Sequence, residues 1–147
     1  MNQTQYVPYS DEIRQLMRKK SGILFSAHRR KDDGILDEAT AMFIEAGELE
    51  EQIARLLEND SQPKAEGVPV LSLRRITKVQ RSEHSENAVI HWVSAASCYM
   101  NAGDFSRAGK LFEFILTKDI RPRLRREVKK FKKRCETENK KKPKIGE

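Results

Sequence analysis

Three side chains with metal-binding or nucleophilic chemistry recur every seven residues in this chain: His84, His91 and Cys98. Imidazole nitrogens and thiolates are ligands that zinc favours. On one helix, however, residues seven apart are separated by about 10.5 Å, whereas the ligands of one zinc ion lie roughly 2.0–2.3 Å from it. The sequence pattern also predicts a helix that begins near Ser85, so His84 is expected to lie outside that helix. The spacing therefore indicates helix-surface or packed residues, and we expect no metal and no cofactor.

Carboxylate pairs are a second possible source of chemistry. Asp32-Asp33 and Glu50-Glu51 are adjacent in sequence, and neighbours on a helix point about 100° apart. Nothing in the sequence indicates the burial that tunes an acid/base pair, so we interpret both pairs as a solvated acidic face. Cys98 lies among apolar neighbours, which favours an inert core thiol. No phosphate loop, zinc-finger spacing or Gly-x-Ser-x-Gly turn is present, and we predict that the chain is not an enzyme.

Two helices joined by a tight turn are predicted from Asn87 to Leu116. Apolar residues recur at spacings of three and four on both sides of Asn101-Ala102-Gly103-Asp104, as one face of a helix requires. Gly103 can adopt the left-handed conformation that closes a helix, and Asp104 can cap the next one. Small residues opposite large ones let two antiparallel helices pack closely.

This stretch resembles the tetratricopeptide repeat. The family's pattern begins with a large residue, two small ones and an aromatic, followed by a Gly-Asp turn, a second aromatic, an Ala and a Phe. This sequence matches each position in that order: Trp92, Ala95, Ala96, Tyr99, Gly103-Asp104, Phe105, Ala108 and Phe112. The match covers residues 89–122. It departs at the closing proline, because Ile120 stands there and Pro122 comes two residues later. The resemblance implies a helical-repeat fold and says almost nothing about function.

A degenerate second copy is predicted at residues 33–59, offset by 56 residues from the first. It places a turn at Gly47-Glu48 and has Gln52 where the family has a small residue. In the alternative pairing, a helix over 11–30 is the partner of a helix over 35–46.

The predicted fold class is all-α. Antiparallel hairpins are expected to stack as a short solenoid like that of the tetratricopeptide repeat (TPR-like), between N-terminal and C-terminal capping helices. The predicted boundaries are a flexible arm at 1–9, a single domain at 10–138 and a disordered basic tail at 139–147. Within the domain, hairpins are expected at about 33–59 and 86–117, with a linker at about 59–69. Residues 68–82 favour a helix over a strand.

Length and composition limit the class of protein. The 147 residues fit one domain, and no apolar run approaches the roughly 20 residues that span a bilayer. The polar N-terminus lacks a secretory signal, and two cysteines show no pairing pattern. We therefore expect a cytoplasmic protein that is not integral to a membrane, or a nuclear one if the source is eukaryotic. Monomer and homodimer both remain open.

The charge is strongly divided along the chain. Residues 118–147 hold 14 basic and 5 acidic side chains, whereas residues 32–60 hold ten acids and one Arg. The final helix carries a narrow apolar stripe and a predicted basic surface of Arg125, Arg126, Lys129, Lys130, Lys132 and Lys133. This distribution of charge is more informative about the protein's binding partners than about its fold.

Three functions from different classes follow. First comes a protein–protein adaptor that holds a peptide or helix in a repeat groove. By the family resemblance, Asn87, His91, Ser94, Cys98 and Asn101 line that groove. Second comes RNA or DNA binding by the basic C-terminal helix and tail through phosphate contacts, although only Phe131 offers an aromatic ring there. Third comes an acidic protein or membrane surface as the partner of that helix.

Overall fold

The computed structural model describes residues 9–61 and 78–141. This part of the chain contains no strand and forms five helices: α1 Asp11–Asp32, α2 Leu36–Ser61, α3 Lys78–Asn101, α4 Phe105–Leu116 and α5 Pro122–Lys141. The all-α prediction is confirmed. Each helix packs against the next one in the chain. The contacts of α2 with α3 run from Gly47 against Tyr99 to Ile53 and Leu57 against Ala88, so these two helices are antiparallel.

Local sequence signals define the ends of the helices. The Ser10 side chain accepts a hydrogen bond from the Ile13 amide at 3.3 Å and caps α1. Gly34 and Gly103 both have φ of +79°, the left-handed conformation that glycine adopts without steric cost. Asp104 then caps α4 by accepting a hydrogen bond from the Arg107 amide at 3.1 Å. The turn between α3 and α4 is therefore built as its sequence indicates.

The predicted turn at Gly47-Glu48 is wrong, because α2 runs unbroken through it. The predicted hairpin at 33–59 is instead one helix, and α1 is its antiparallel partner across the turn at Gly34. Gly47 is needed for a different reason. A Cβ atom at this position would lie 2.5 Å from Cε1 of Tyr99, so the missing side chain lets α3 approach α2 closely.

Three other predicted boundaries also move. Helix α3 begins at Lys78, so residues 82–86 are helical rather than a break, and His84 lies within the helix. Helix α5 continues to Lys141, beyond the predicted start of the tail at 139. At the other end, Tyr9 packs its ring against His84 with the centroids 5.7 Å apart. The arm at 1–8, most of the 59–69 linker, residues 68–77 and the tail beyond Lys141 lie outside the described residues.

The largest core cluster joins α3, α4 and α5. Seven of the eight side chains that carry the repeat resemblance take part in it. Trp92, Ala95, Ala96, Tyr99, Ala108 and Phe112 are buried, and Phe105 packs against them partly buried. Helix α5 adds Val128 and Cys135 to the cluster, and Phe131 stacks on Phe112 with centroids 5.6 Å apart. The last helix therefore covers the apolar side of α4.

Candidate functional site

The face of α3 that was predicted to line a groove is largely covered. Cys98 is buried, His91 is only 13% exposed in its side chain, and Ser94 is partly buried. Asn87 donates a hydrogen bond to the Tyr9 hydroxyl at 2.7 Å. Asn101 is exposed at the end of the helix. Helix α2 lies over His91 and Cys98, since Glu50 of α2 contacts His91 and its charge acts on Cys98. The predicted groove is therefore not open at these two residues.

A buried ion cluster occupies that contact. Glu50 is 1% exposed, with its Oε2 at 2.9 Å from Nδ1 of His91 and its Oε1 at 3.0 Å from Nζ of Lys20. The contact to Lys20 is an ion pair without well-aligned hydrogen-bond geometry. Burial raises the pKa of Glu50, but the hydrogen bond with His91, the close contact with Lys20 and the charges of both outweigh it and hold the pKa below its ordinary value. The interpretation of Glu50 as part of a solvated face is therefore wrong, and the cluster fastens α1, α2 and α3 together.

Two of the candidate reactive side chains, Cys98 and His84, are buried. Burial and the negative charge of Glu50 raise the pKa of the Cys98 thiol to about 12, so this cysteine is not a thiolate at neutral pH. His84 is buried, and its Nδ1 has no hydrogen-bond partner among the described residues. Within residues 9–61 and 78–141, no three His, Cys, Asp or Glu side chains are grouped so that they could hold a metal ion.

A cleft of about 460 Å³ opens on a different side of the molecule, between α2 and α4, with α3 as its floor. It is lined by Glu51, Arg55 and Glu58 of α2, Trp92 and Tyr99 of α3, and Arg107, Lys110, Leu111 and Phe114 of α4. We refer to it as the α2–α4 cleft. Its residues on α2 follow one another at four and three positions, and those on α4 at three, one and three. Helical periodicity therefore places each set on one side of its helix.

The carboxylates of the α2–α4 cleft are engaged within the protein. Glu58 accepts a hydrogen bond from Nε1 of Trp92 at 2.7 Å and pairs with Lys118. Glu51 accepts a hydrogen bond from the Tyr99 hydroxyl and lies 3.2 Å from the guanidinium of Arg55. Burial, together with the hydrogen bond to Glu51, raises the pKa of Tyr99. These contacts fix both floor rings and consume the negative charge of the cleft.

The cations and one aromatic ring of the cleft remain accessible. The side chains of Arg55 and Arg107 are 61% and 41% exposed, and Lys110 is exposed with no acid partner in the described part of the chain. Phe114 is 41% exposed and meets Trp92 edge to face, with the centroids 5.0 Å apart. The open surface of the cleft is therefore an aromatic edge among cationic groups.

The predicted basic surface of α5 divides into two kinds of residue. Arg125 donates hydrogen bonds to the carbonyl oxygens of Leu116 and Lys118, both at 3.0 Å, and so binds the C-terminal end of α4. Lys132 is partly buried and lies 3.5 Å from Glu136. The remaining four predicted residues are exposed: Arg126, Lys129, Lys130 and Lys133.

Comparisons with other proteins give no further assignment. No protein-family model matches the chain, and neither a curated protein nor a solved structure matches it. Among the described residues, no helix combines the length and apolar character needed to cross a bilayer.

Proposed function

We propose that this protein is a non-catalytic interaction module that holds a segment of a partner protein in the α2–α4 cleft. The segment is a short peptide or helix that presents an apolar side chain flanked by acidic residues. The observation that carries this proposal is the division of charge in the cleft. Glu51 and Glu58 are engaged within the protein. Arg55 and Arg107 lie 3.2 and 3.6 Å from Glu51, yet their side chains stay 61% and 41% exposed, and the exposed Lys110 adds a third cation to the cleft that Phe114 also lines.

The chemistry of this surface supports a protein ligand. An aromatic ring that is partly exposed can contact an apolar anchor, and aromatic and arginine side chains are enriched among residues that dominate protein interfaces. A carboxylate beside the anchor would pair with a guanidinium at the rim through a charge-assisted hydrogen bond. Trp92 is 3% exposed and held by Glu58, so it forms a fixed floor rather than a mobile contact.

The remaining chemistry supports a binding role rather than a catalytic one. The cysteine and the buried carboxylate that a nucleophilic or acid/base mechanism would use lie in the contact between helices, away from the cleft. Their pKa values favour a protonated thiol and an ionised, paired carboxylate at neutral pH.

The resemblance to the tetratricopeptide repeat is consistent with the same proposal. It rests on one helical hairpin, α3 and α4, which supplies six of the nine residues that line the cleft. We propose that this hairpin is a single TPR-like repeat, with α1 and α2 packed at one end and α5 at the other. The unbroken α2 gives no second copy of the repeat.

Trp92 provides a direct test because it is the only tryptophan of the chain. Its emission should change on titration with peptides of about twelve residues that carry one Phe or Leu among Asp and Glu. Peptides with Lys in place of the acids should leave it unchanged. The double variant Arg55→Gln/Lys110→Gln should weaken binding of the acidic peptides about tenfold or more, since two charged contacts are lost at roughly 1 kcal/mol each.

The matched control is Arg18→Gln/Lys19→Gln, which removes two exposed cations from α1. This control should bind the acidic peptides within about twofold of the unmodified chain. An equal loss of affinity in both variants would show attraction by net charge alone, and the α2–α4 cleft would then not be the binding site.

A further inference from the structure

Helix α5 has one side committed to the core. Val128 and Cys135 are buried, and Phe131 and Leu124 pack partly buried against the same cluster. At 3.6 residues per turn, these four side chains lie within about 60° of the direction of Val128. The opposite side of the helix is therefore directed away from α4.

That opposite side is almost entirely cationic. Six residues lie within about 40° of the direction opposite Val128: Arg123, Arg126, Lys130, Lys133, Thr137 and Lys141. All six are exposed. At a rise of 1.5 Å per residue, they extend over about 27 Å. We call these six residues the outer face of α5. Lys129 and Lys140 flank it on one side and Arg134 on the other, and these three cations are also exposed.

Few of these charges are neutralised within the described part of the chain. Arg123, Arg126 and Lys133 have no acid within ion-pair distance there, and the pairs of Lys130 with Glu127 and Lys141 with Glu138 are long, at 3.9 and 3.4 Å. Exposed pairs of this kind contribute little free energy. The face therefore has a row of cations whose charge an external ligand can use.

The charge of the molecule is also polarised. Helix α5 has ten basic and three acidic residues, whereas α2 has eight acidic residues and one Arg. A polyanion would therefore be attracted to α5 more strongly than to α2, which favours one orientation of approach.

We propose that the outer face of α5 binds the phosphates of double-stranded DNA without regard to sequence, with the helix at the mouth of the major groove. A groove about 12 Å wide admits a helix. The cations that flank the outer face on both sides would then face the phosphates of the two strands. Duplex RNA fits less well because its major groove is deep and narrow. This activity is separate from the binding of a protein segment in the α2–α4 cleft.

The composition of the outer face argues against other polyanions. Binding of single strands relies on aromatic rings that stack on bases, and the aromatic ring of α5 is turned inward onto Phe112. Insertion into a membrane surface needs large apolar side chains on the exposed face, and the six residues of the outer face include none. Phosphates at a density of one charge per 1.7 Å of duplex axis suit a regular row of long cationic side chains.

The test is a fluorescence-anisotropy titration of the full chain with a duplex DNA of about 30 base pairs across a salt series. The triple variant Arg126→Gln/Lys130→Gln/Lys133→Gln should bind roughly tenfold or more weakly near 0.1 M salt, and its slope of log K against log salt should fall by about 2–3, at 0.9 per lost phosphate contact. The matched control is Arg18→Gln/Lys19→Gln/Arg29→Gln on α1, with the same change of charge. It should retain the slope and bind within about threefold of the unmodified chain. Circular dichroism checks that both variants keep their helix content.

The proposal is overturned if the two triple variants lose affinity equally, since net charge alone would then explain binding. It is also overturned if single-stranded DNA or duplex RNA of the same length is bound as tightly as the DNA duplex. The acidic peptides of the cleft provide an independent readout: the α5 triple variant should bind them as the unmodified chain does. Failure of DNA binding therefore leaves the proposed function of the cleft untouched.

Discussion

Removing the charge of Glu50 should strongly destabilise the fold. The variant Glu50→Gln keeps nearly the same shape but ends the ion pair with Lys20, whose side chain is 19% exposed, and weakens the contact with His91. The Lys20 ammonium is then left partly buried without its counter-charge. Loss of one partner of a buried pair costs about 3–5 kcal/mol, which is a large part of the 5–15 kcal/mol that typically separates folded from unfolded domains.

Glu45→Gln is the matched control, because Glu45 lies on the same helix and is exposed. Substitutions of this kind usually change stability by no more than about 0.5 kcal/mol. The double variant Lys20→Gln/Glu50→Gln should recover part of the loss, since it removes the stranded charge together with its partner. Urea unfolding at pH 7, followed by circular dichroism, measures all three variants.

The pH dependence provides a second measurement of the same cluster. The pKa of Glu50 is lowered in the folded protein from its ordinary value of 4.5. Its contribution to stability is therefore fully present above about pH 4.5 and is lost as the pH falls through the lower, folded-state pKa. The difference in unfolding free energy between the unmodified chain and Glu50→Gln should be constant near neutrality and shrink below pH 4.5. A Glu50→Gln variant within about 1 kcal/mol of the unmodified chain at pH 7 would refute the assignment of this cluster as the fastening of α1, α2 and α3.

Three further predictions use the same unfolding measurement. Gly47→Ala should lower the free energy of unfolding by about 1–2 kcal/mol, because the clash with Tyr99 exceeds the roughly 1 kcal/mol gained in helix propensity. Gly22→Ala is the control: its Cβ meets nothing within 4 Å, so it should raise the free energy of unfolding by about 0.5–1 kcal/mol. Stabilisation by both would mean that α3 does not approach α2 as described. Arg125→Met should lower the free energy of unfolding by about 1.5–3 kcal/mol, because it removes two charge-assisted hydrogen bonds to the end of α4. An unchanged urea midpoint would mean that Arg125 does not cap α4. Phe131→Asp should cost about 3 kcal/mol or more by placing a carboxylate against the core, whereas an unaffected midpoint would mean that α5 is free of α4.

The sequence predicted the α3–α4 hairpin well because its signals are local. The left-handed Gly103, the Asp104 cap and the apolar periodicity each act within a few residues. The corresponding prediction of a turn at Gly47 is wrong, although Gly47 is also a glycine within a similar apolar pattern. What distinguishes the two glycines is the presence of Tyr99 across the helix contact, and a long-range neighbour leaves no mark on the local sequence.

The error at Gly47 also concealed Glu50. When 36–61 is taken as one helix, its buried positions recur at intervals of four and three: Ala39, Phe43, Ala46, Glu50, Ile53 and Leu57. A carboxylate within that stripe indicates a buried, paired group. Dividing the stretch at Gly47 removed this periodicity and left Glu50 beside Glu51 as an apparent surface pair.

The α2–α4 cleft was beyond sequence reasoning for a related reason. The family resemblance drew attention to the exposed side of α3, whereas the unbroken α2 packs over that side and opens a cleft elsewhere. Which carboxylates are used internally also depends on contacts across helices, such as that of Glu58 with Trp92. The charge of the cleft therefore could not be deduced from composition.

Site-specific photocrosslinking shows whether the α2–α4 cleft is the binding site of the acidic peptides. A photoreactive amino acid replaces Phe114 in the cleft or, as the control, Phe25, which is 68% exposed on α1. The full chain is irradiated with the acidic and the lysine-containing peptides. We expect crosslinks from position 114 to the acidic peptides, centred on their apolar anchor, and few from position 25. The variant Arg55→Gln/Lys110→Gln should reduce the crosslinks from position 114. Equal crosslinking at the two positions, or crosslinks from position 114 to both kinds of peptide alike, would contradict binding in the cleft.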